Sequence, residues 1–217
     1  MGTRFTAADS TGSLSLGSDG RTLTVTAVRF VAGRSRTERV ITLWNLADPT
    51  EPQRVGELLR QPTDVIDTTL ISPDGRLLAA TENETVQLAD ISDPRHPERL
   101  GEPITHVLPA IPFDYTPDSR NLLTVGVDGS LNRWDVSDPA HPVKTVSLTQ
   151  SDGYSWNATL APDDRHVASA SSDGTVHLWN LDENAAIDRI CAITGDMWTE
   201  ELWKHRLPQL PYSPPCR

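Results

Sequence analysis

Short segments that are rich in apolar residues, or that alternate apolar with polar residues, cover most of the chain up to residue 182. Residues 77–80, 121–125 and 166–170 are short apolar-rich segments, whereas residues 85–88 and 175–178 alternate apolar and polar side chains. Alternation with a period of two is typical of a half-buried β-strand. No segment before residue 183 has helical periodicity, so the pattern predicts an all-β body.

These predicted strands belong to an internal repeat. Trp44, Ala89, Trp134 and Trp179 stand at intervals of 45 residues. The first three are each followed by an Asp-Pro-x-x-Pro segment, named here a Pro loop; the three loops are residues 48–52, 93–97 and 138–142. A repeat of about 40–45 residues with several short strands is typical of one four-stranded propeller blade. The sequence therefore predicts four blades.

Residues 183–217 depart from this repeat, which divides the chain into a blade region, 1–182, and a C-terminal tail. Residues 183–194 have helical periodicity, and a second short helix is predicted near Thr199, with acidic residues in its first turn and basic residues in its last. Five apolar side chains lead us to expect that the tail packs as a cap on the fourth blade: Ile187, Ile190, Trp198, Trp203 and Leu207.

Composition narrows the function classes. The 217 residues carry a formal net charge of −11, which disfavours nucleic acid or an anionic membrane as the main partner. No apolar run is long enough to span a membrane, and the N-terminus lacks the apolar segment of a signal peptide. We found no catalytic motif, no metal-ligand spacing and no phosphate-binding loop, so the sequence predicts neither an enzyme nor a cofactor.

Two repeats resemble the WD-repeat (Trp-Asp repeat) β-propeller family. The clearest copies are residues 166–180 and 121–135, which end in Leu-Trp-Asn and Arg-Trp-Asp. The Pro loops and the Pro-Pro-Cys ending are also similar to the C-terminal propeller part of bacterial multidomain signalling proteins. The resemblance implies four WD-type repeats of about 45 residues, with a short α-helical tail.

The same resemblance implies a set of structural residues that stiffen the blades by hydrogen bonds. It joins a Trp, a strand hydroxyl, a turn Asp and a loop His. In the third repeat these are His106, Thr124, Asp128 and Trp134; in the fourth they are Asp173 and Trp179, with Ser169 or Ser171. Trp44 is the corresponding tryptophan of the first repeat.

One hairpin in the first repeat is longer than its counterparts. Residues 29–39 contain four arginines in an acidic chain: Arg29, Arg34, Arg36 and Arg39. The simplest interpretation is a solvated extension of the hairpin. The functional alternative is a contact for an acidic protein partner, because arginine binds carboxylates in bidentate geometry.

Cys191 and Cys216 are the two cysteines of the chain. They form either a disulfide, which would indicate an oxidising compartment, or two separate thiols. We therefore expect a cytoplasmic location by default, and an extracytoplasmic one if the chain is tethered and the cysteines are bridged.

These observations favour a non-catalytic scaffold or sensor module that binds other proteins within a bacterial signalling or regulatory protein. Two alternatives stay open: a propeller with a ligand or catalytic site in its central channel, and a truncated remnant of a longer propeller. Four repeats are few for a propeller. We expect an incomplete, arc-like array whose open blade edges favour self-association.

Overall fold

Four antiparallel sheets, here called blades 1 to 4, form the body of the protein. The computed structural model describes residues 5–6, 10–30, 37–59, 68–82, 84–149, 155–194 and 199–212. Within each blade the strands pair in chain order, from an inner to an outer strand. The strands are β1 (Ser10–Leu16), β2 (Thr22–Phe30), β3 (Thr37–Asn45) and β4 (Gln53–Leu59) in blade 1; β5 (Thr69–Ile71), β6 (Leu77–Glu82), β7 (Thr85–Asp90) and β8 (Glu98–Ile104) in blade 2; β9 (Ala110–Tyr115), β10 (Asn121–Gly126), β11 (Leu131–Asp135) and β12 (Val143–Leu148) in blade 3; and β13 (Ser155–Leu160), β14 (His166–Ser171) and β15 (Val176–Asn180) in blade 4.

The extra residues of the first repeat lengthen its central hairpin. β2 and β3 have nine residues each, whereas β6 and β7 in blade 2 have six. They stay in register from Thr22 opposite Asn45 to Phe30 opposite Thr37. The two ends of the arginine-rich insertion, residues 29–30 and 37–39, are therefore strand, and β2 and β3 are longer than the corresponding strands of blade 2.

The turn before each second strand needs a left-handed backbone. Gly20 and Gly75 adopt φ values of +65° and +74°, and Ser119 and Asp164 occupy the same turn position with φ of 60°. An aspartate just before this position stabilises the turn by accepting backbone N–H groups, as Asp118 does from Arg120 at 3.0 Å. The turns predicted from the sequence are thus built from local hydrogen bonds.

The blades pack face to face, and the hydrophobic core lies between them. We call the two faces of a blade its preceding face and its following face, after the neighbour on each side. Between blades 1 and 2 the core includes Ile41 and Leu43 of blade 1 together with Leu78 and Ala89 of blade 2. All four are at most 1% exposed. Similar clusters join blade 2 to blade 3 and blade 3 to blade 4.

The three Pro loops share one conformation. In each loop the aspartate side chain accepts the backbone N–H two residues later: Asp48 from Thr50 at 2.8 Å, Asp93 from Arg95 at 3.0 Å and Asp138 from Ala140 at 3.2 Å. Hydrogen bonds to these carboxylates hold the pKa values of all three aspartates below their usual range. The Pro loops are therefore rigid turns with a repeated shape.

Each Pro loop of blades 2 and 3 lies against a glycine of the preceding blade. A β-carbon at Gly56 in β4 would overlap the carbonyl oxygen of Pro94, and one at Gly101 in β8 would overlap that of Ala140. Gly56 and Gly101 are 45 residues apart, so they occupy one repeat position. The next position in the series is Val146 in β12, and blade 4 has no Pro loop to lie against it. Glycine therefore occurs in the outer strand where a neighbouring Pro loop approaches.

The blades form an arc, as expected from the sequence. Packing joins β1 to β5, then β5, β6 and β7 to β9, and then β9 and β10 to β13. No comparable packing joins blade 1 to blade 4 in the described ranges. Phe5, just before the first strand, lies on Trp44 of blade 1 with ring centroids 4.8 Å apart. This residue is therefore held by blade 1.

The tail contains both predicted helices, but it does not pack as predicted. α1 spans Glu183–Thr194, and α2 spans Glu200–Arg206 with Thr199 as its N-cap. Ile187 and Ile190 are 52% and 59% exposed, so the prediction that they are buried against the fourth blade is wrong. Trp203 and Leu207 are half-buried near α2, and Trp198 lies outside the described residues. Amphipathic spacing correctly predicted a helix, but it could not identify a surface that would cover the apolar side.

We predict that Gly56→Ala destabilises the protein by about 2 kcal/mol, because the new methyl group must push the Pro94 carbonyl away from blade 1. Urea unfolding followed by circular dichroism measures the change. The matched control is Gly75→Ala, whose β-carbon meets no atom within 4 Å and which pays only for its positive φ, about 1 kcal/mol. A Gly56→Ala loss no larger than that of the control would contradict the close contact.

Candidate protein-interaction surfaces

Hydrogen bonds inside the blades hold the repeated tryptophans. The indole N–H of Trp134 donates to Thr124 Oγ at 3.0 Å, and that of Trp179 donates to Ser169 Oγ at 2.9 Å. Of the two serines considered from the sequence, Ser169 is thus the acceptor. The indole N–H of Trp44 instead donates to Thr42 Oγ in its own strand, at 2.9 Å. These residues stabilise blades and point to no ligand.

His106 lies beside Trp134 but does not join it to Asp128 as the resemblance implied. The two rings meet edge to face with centroids 5.4 Å apart, and the imidazole Nδ1 is 3.5 Å from the Asn132 amide nitrogen. Burial, and secondarily the positive charge of Lys144, lower the pKa of His106 to about 4. The imidazole is therefore neutral at pH 7 and has a structural position.

The turn aspartates stabilise their own hairpins. Asp128 accepts the backbone N–H of Ser130 at 3.0 Å, and Asp173 accepts that of Thr175 at 2.8 Å. Asp173 also accepts the Thr175 hydroxyl at 2.6 Å. These hydrogen bonds join residues within one turn and stabilise the hairpin at each aspartate.

The following face of blade 4 is open. Val176 and Leu178 on β15 are 68% and 81% exposed. The residues at the same repeat position as Val176 are Ile41, Val86 and Leu131, and they are 0%, 0% and 1% exposed. A position that a neighbouring blade buries three times is thus exposed in blade 4.

The outer edge of blade 4 is also open. Blades 1 to 3 each end in a fourth, outer strand, whereas β15 is the last strand of its sheet in the described ranges. An edge strand presents backbone N–H and C=O groups in a row that can pair with another strand. The apolar patch of Val176 and Leu178 and this strand edge lie together, and we call them the blade 4 surface.

The preceding face of blade 1 is exposed along its inner strand, whereas Trp44 on the same face is only 8% exposed and contacts Phe5. Leu14 and Leu16 on β1 are 64% and 58% exposed. Leu16 corresponds to Ile71 in blade 2 and Tyr115 in blade 3. Each of the three pairs with the equivalent leucine of its second strand, which is Leu23, Leu78 or Leu122. Ile71 and Tyr115 are only 6% and 3% exposed. Both ends of the array therefore carry apolar side chains that a neighbour covers elsewhere.

The arginine-rich hairpin is described only at its base. The backbone of Arg29 pairs with that of Glu38 in the β2–β3 ladder, and Arg39 is half-buried on β3. Arg34 and Arg36 lie outside the described residues. The expectation that these two arginines bind an acidic partner stays a prediction.

The tail contributes an exposed helix and a disulfide-bonded cysteine. Ile187, Ile190 and Ile193 on α1 are each more than half exposed. Cys191 on the same helix is disulfide-bonded, whereas Cys216 lies outside the described residues. The Cys191–Cys216 pairing therefore remains a prediction.

Two shallow clefts lie at the rim of the array. One, of about 260 Å³, is bordered by the end of β8, Trp134 and the Pro loop of blade 3; the other, of about 250 Å³, is bordered by Trp44 and Pro94. Neither includes a residue of the inner strands, which line the centre of the arc. The described part of the chain contains no group of three acidic, histidine or cysteine residues arranged to hold a metal ion. None of its helices combines the length and apolar character needed to cross a membrane.

Comparisons with known proteins agree with this geometry. The family model of the WD domain, G-beta repeat, matches residues 140–180. The structure is similar to that of a functionally unknown protein from Desulfotomaculum acetoxidans DSM 771, with 13% identity and a TM-score of 0.64. It is also similar to the Cps50 (Swd1) β-propeller domain of Myceliophteria thermophila, with 20% identity and a TM-score of 0.58.

In these two comparisons the matches cover 80% and 86% of this chain, but only 52% and 56% of the other chains. This chain thus spans about half the length of the structures that it resembles. A search of curated proteins finds no match.

We predict that His106 makes the stability of the protein depend on pH between about 4 and 6.5. Its pKa is lowered in the folded state, so the unfolded chain binds more protons in this window and stability falls as pH falls. The free energy of unfolding should drop by about 1–2 kcal/mol more for the native protein than for His106→Gln, a limited amount because the ring keeps some solvent contact. Urea unfolding at pH 7, 5.5 and 4 measures it. Parallel curves for the native protein and His106→Gln would refute the prediction.

Proposed function

We propose that this WD-repeat β-propeller array is a non-catalytic scaffold or sensor module that binds other proteins within a bacterial signalling or regulatory protein. A propeller array presents rigid strands and loops for binding and needs no catalytic group to do so. The observation that carries the proposal is the exposure of Val176 and Leu178, whose repeat counterparts are buried between blades.

The chemistry of the blade 4 surface favours a protein partner. Its apolar side chains gain free energy when removed from water, and the exposed strand edge offers backbone hydrogen bonds in a regular row. A peptide or protein strand paired with β15 would use both features at once. Small hydrophilic ligands match neither of them.

The arginine-rich hairpin would add specificity on blade 1. It occurs once among the repeats, whereas the three Pro loops are near-copies, and those of blades 2 and 3 contact a neighbouring blade. Guanidinium groups there would attract acidic segments of a partner, although the chain as a whole is negatively charged.

The proposed location depends on the cysteines. A disulfide at Cys191 fits an oxidising compartment, which bacteria maintain outside the cytoplasm. We therefore propose a cytoplasmic location by default, and an extracytoplasmic one if the chain is tethered and Cys191 and Cys216 are bridged.

We predict that the double variant Val176→Lys, Leu178→Lys binds far less partner protein than the native chain. Two ammonium groups in the apolar patch must be desolvated on binding, which should reduce recovery about tenfold or more. The measurement is quantitative mass spectrometry of proteins cross-linked to the immobilised chain in extracts of its source cells.

The matched control is Val143→Lys on β12, an exposed strand valine outside both open blade faces (60% exposed). It should recover the same partners as the native protein. Circular dichroism should show that every variant is folded, since surface substitutions change stability by only about 0.5 kcal/mol. Equal recovery with the double variant and the control would reject the blade 4 surface as the binding site.

We further predict that Arg34→Glu together with Arg36→Glu weakens binding of an acidic partner and leaves folding intact. Charge reversal replaces attraction by repulsion, so the effect should be largest at low salt. The control pair is Arg76→Glu with Arg95→Glu, two exposed arginines of blade 2 that give the same change in net charge. If both pairs reduce recovery equally, general electrostatics and not the hairpin is responsible.

A further inference from the structure

The Pro loop of blade 1 is preformed although the described residues give it no neighbouring glycine. Asp48 accepts the N–H of Thr50 at 2.8 Å, and the Glu51 N–H donates to the Asp48 carbonyl at 3.1 Å. The loops of blades 2 and 3 make the same bonds around Asp93 and Asp138. The Pro loop of blade 1 thus has the same conformation as the two loops that lie against Gly56 and Gly101.

The Pro loop of blade 1 is more exposed than those of blades 2 and 3, as expected for a loop with no neighbouring blade against it. Pro49 is exposed, whereas Pro94 and Pro139 at the same repeat position are half-buried. Leu16 is exposed in the same way, although its counterpart Ile71 is buried. Both the rim and the inner part of the preceding face of blade 1 are therefore open at the places where blades 2 and 3 contact a neighbour.

A backbone N–H of the inner strand is hydrogen-bonded across two of the three interfaces between blades. The N–H of Ile71 donates to Ser15 Oγ of blade 1 at 3.0 Å, and the N–H of Leu160 donates to Asp114 Oδ2 of blade 3 at 3.2 Å. At these two interfaces a side chain of the preceding inner strand is the acceptor, whereas in blade 3 the N–H of Tyr115 donates to Asp114 Oδ1 of its own strand at 3.0 Å. In blade 1 the equivalent N–H belongs to Leu16.

We infer that the preceding face of blade 1 binds a further blade of the same repeat type. Its outer strand carries glycine at the position of Gly56 and Gly101, so that the Asp48–Pro52 loop can lie against the backbone. A hydroxyl or carboxylate in its inner strand, at the position of Ser15 and Asp114, would accept the N–H of Leu16 as at two of the three described interfaces.

A second copy of this chain fits this surface poorly. The open face of a second copy belongs to blade 4, and the described residues there include no outer strand that could present a glycine. The two glycine-bearing outer strands, β4 and β8, already contact the Pro loops of blades 2 and 3. The glycine requirement therefore favours a blade that is additional to the four described.

The experiment adds such a blade to the full chain. A second copy of residues 10–59 is fused before Met1, so that nine residues, 1–9, join the added blade to β1. Residues 60–68, which join β4 to β5, are also nine. The added blade then presents its own Gly56 to the Pro loop of the original blade 1. Two control fusions are made: Gly56→Val in the added copy only, and Asp48→Ala in the original blade only.

Hydrogen exchange read by mass spectrometry should show about tenfold slower exchange in segments 14–16 and 48–51 of the original blade 1 in the Gly56 fusion than in the unfused chain. We expect no such protection in the Gly56→Val fusion, because valine suits a strand and disturbs only the contact with the Pro loop. The Asp48→Ala fusion should lose protection as well, because its loop is no longer held.

Three results would overturn the inference. Equal protection in the Gly56 and Gly56→Val fusions would show that glycine is not required. Absence of protection in both would show that the face does not bind a blade of this type, since the added blade should fold upon it. Sedimentation of the unfused chain as a dimer with segments 14–16 and 48–51 already protected would identify a second copy as the occupant.

Discussion

The close approach of neighbouring blades at the rim of the array constrains the rest of the structure. A Pro loop comes so near to the outer strand before it that only a residue without a side chain fits, as at Gly56 and Gly101. This contact fixes the distance between two sheets at their outer strands. The apolar side chains between the sheets then fill the remaining space, which is why Ile41, Leu78 and Leu122 are fully buried. Close packing of this kind tolerates little change in volume.

Blade 2 shows that a blade of this array can form without the repeated tryptophan. Ala89 stands where the other three blades have Trp, yet all of β6 is buried. The buried amide of Gln87 donates to the carbonyls of Leu88 and Leu100 at 2.9 and 2.8 Å, and so ties the third strand to the fourth. A different polar bridge thus stabilises a blade that lacks the indole hydrogen bond.

The sequence predicted the strands and turns well because the same local patterns recur in the four repeats. Alternating residues, Asp-Gly turns and Pro loops set strand ends through short-range chemistry, and α1 begins and ends at the predicted residues. The exposure of α1 was missed because an apolar stripe on a helix shows only that the stripe would gain from burial. It does not show whether another part of the chain lies against it. The role of Gly56 and Gly101 was missed as well, although their spacing of 45 residues is visible in the sequence. A glycine repeated within a strand was the signal that could have revealed it.

The open ends of the arc also determine how stability is distributed along the chain. In a stack of repeats each unit is stabilised by its own fold and by its interfaces with nearest neighbours. Blades 2 and 3 have two such interfaces, whereas blades 1 and 4 have one each within the described ranges. This difference is visible in the strands: every residue of β6 in blade 2 is buried, whereas alternate residues of β15 in blade 4 are exposed. Unfolding would therefore begin at the terminal blades and proceed inward, and a partner that covers either end would slow the opening of the whole array and not only of the blade it touches.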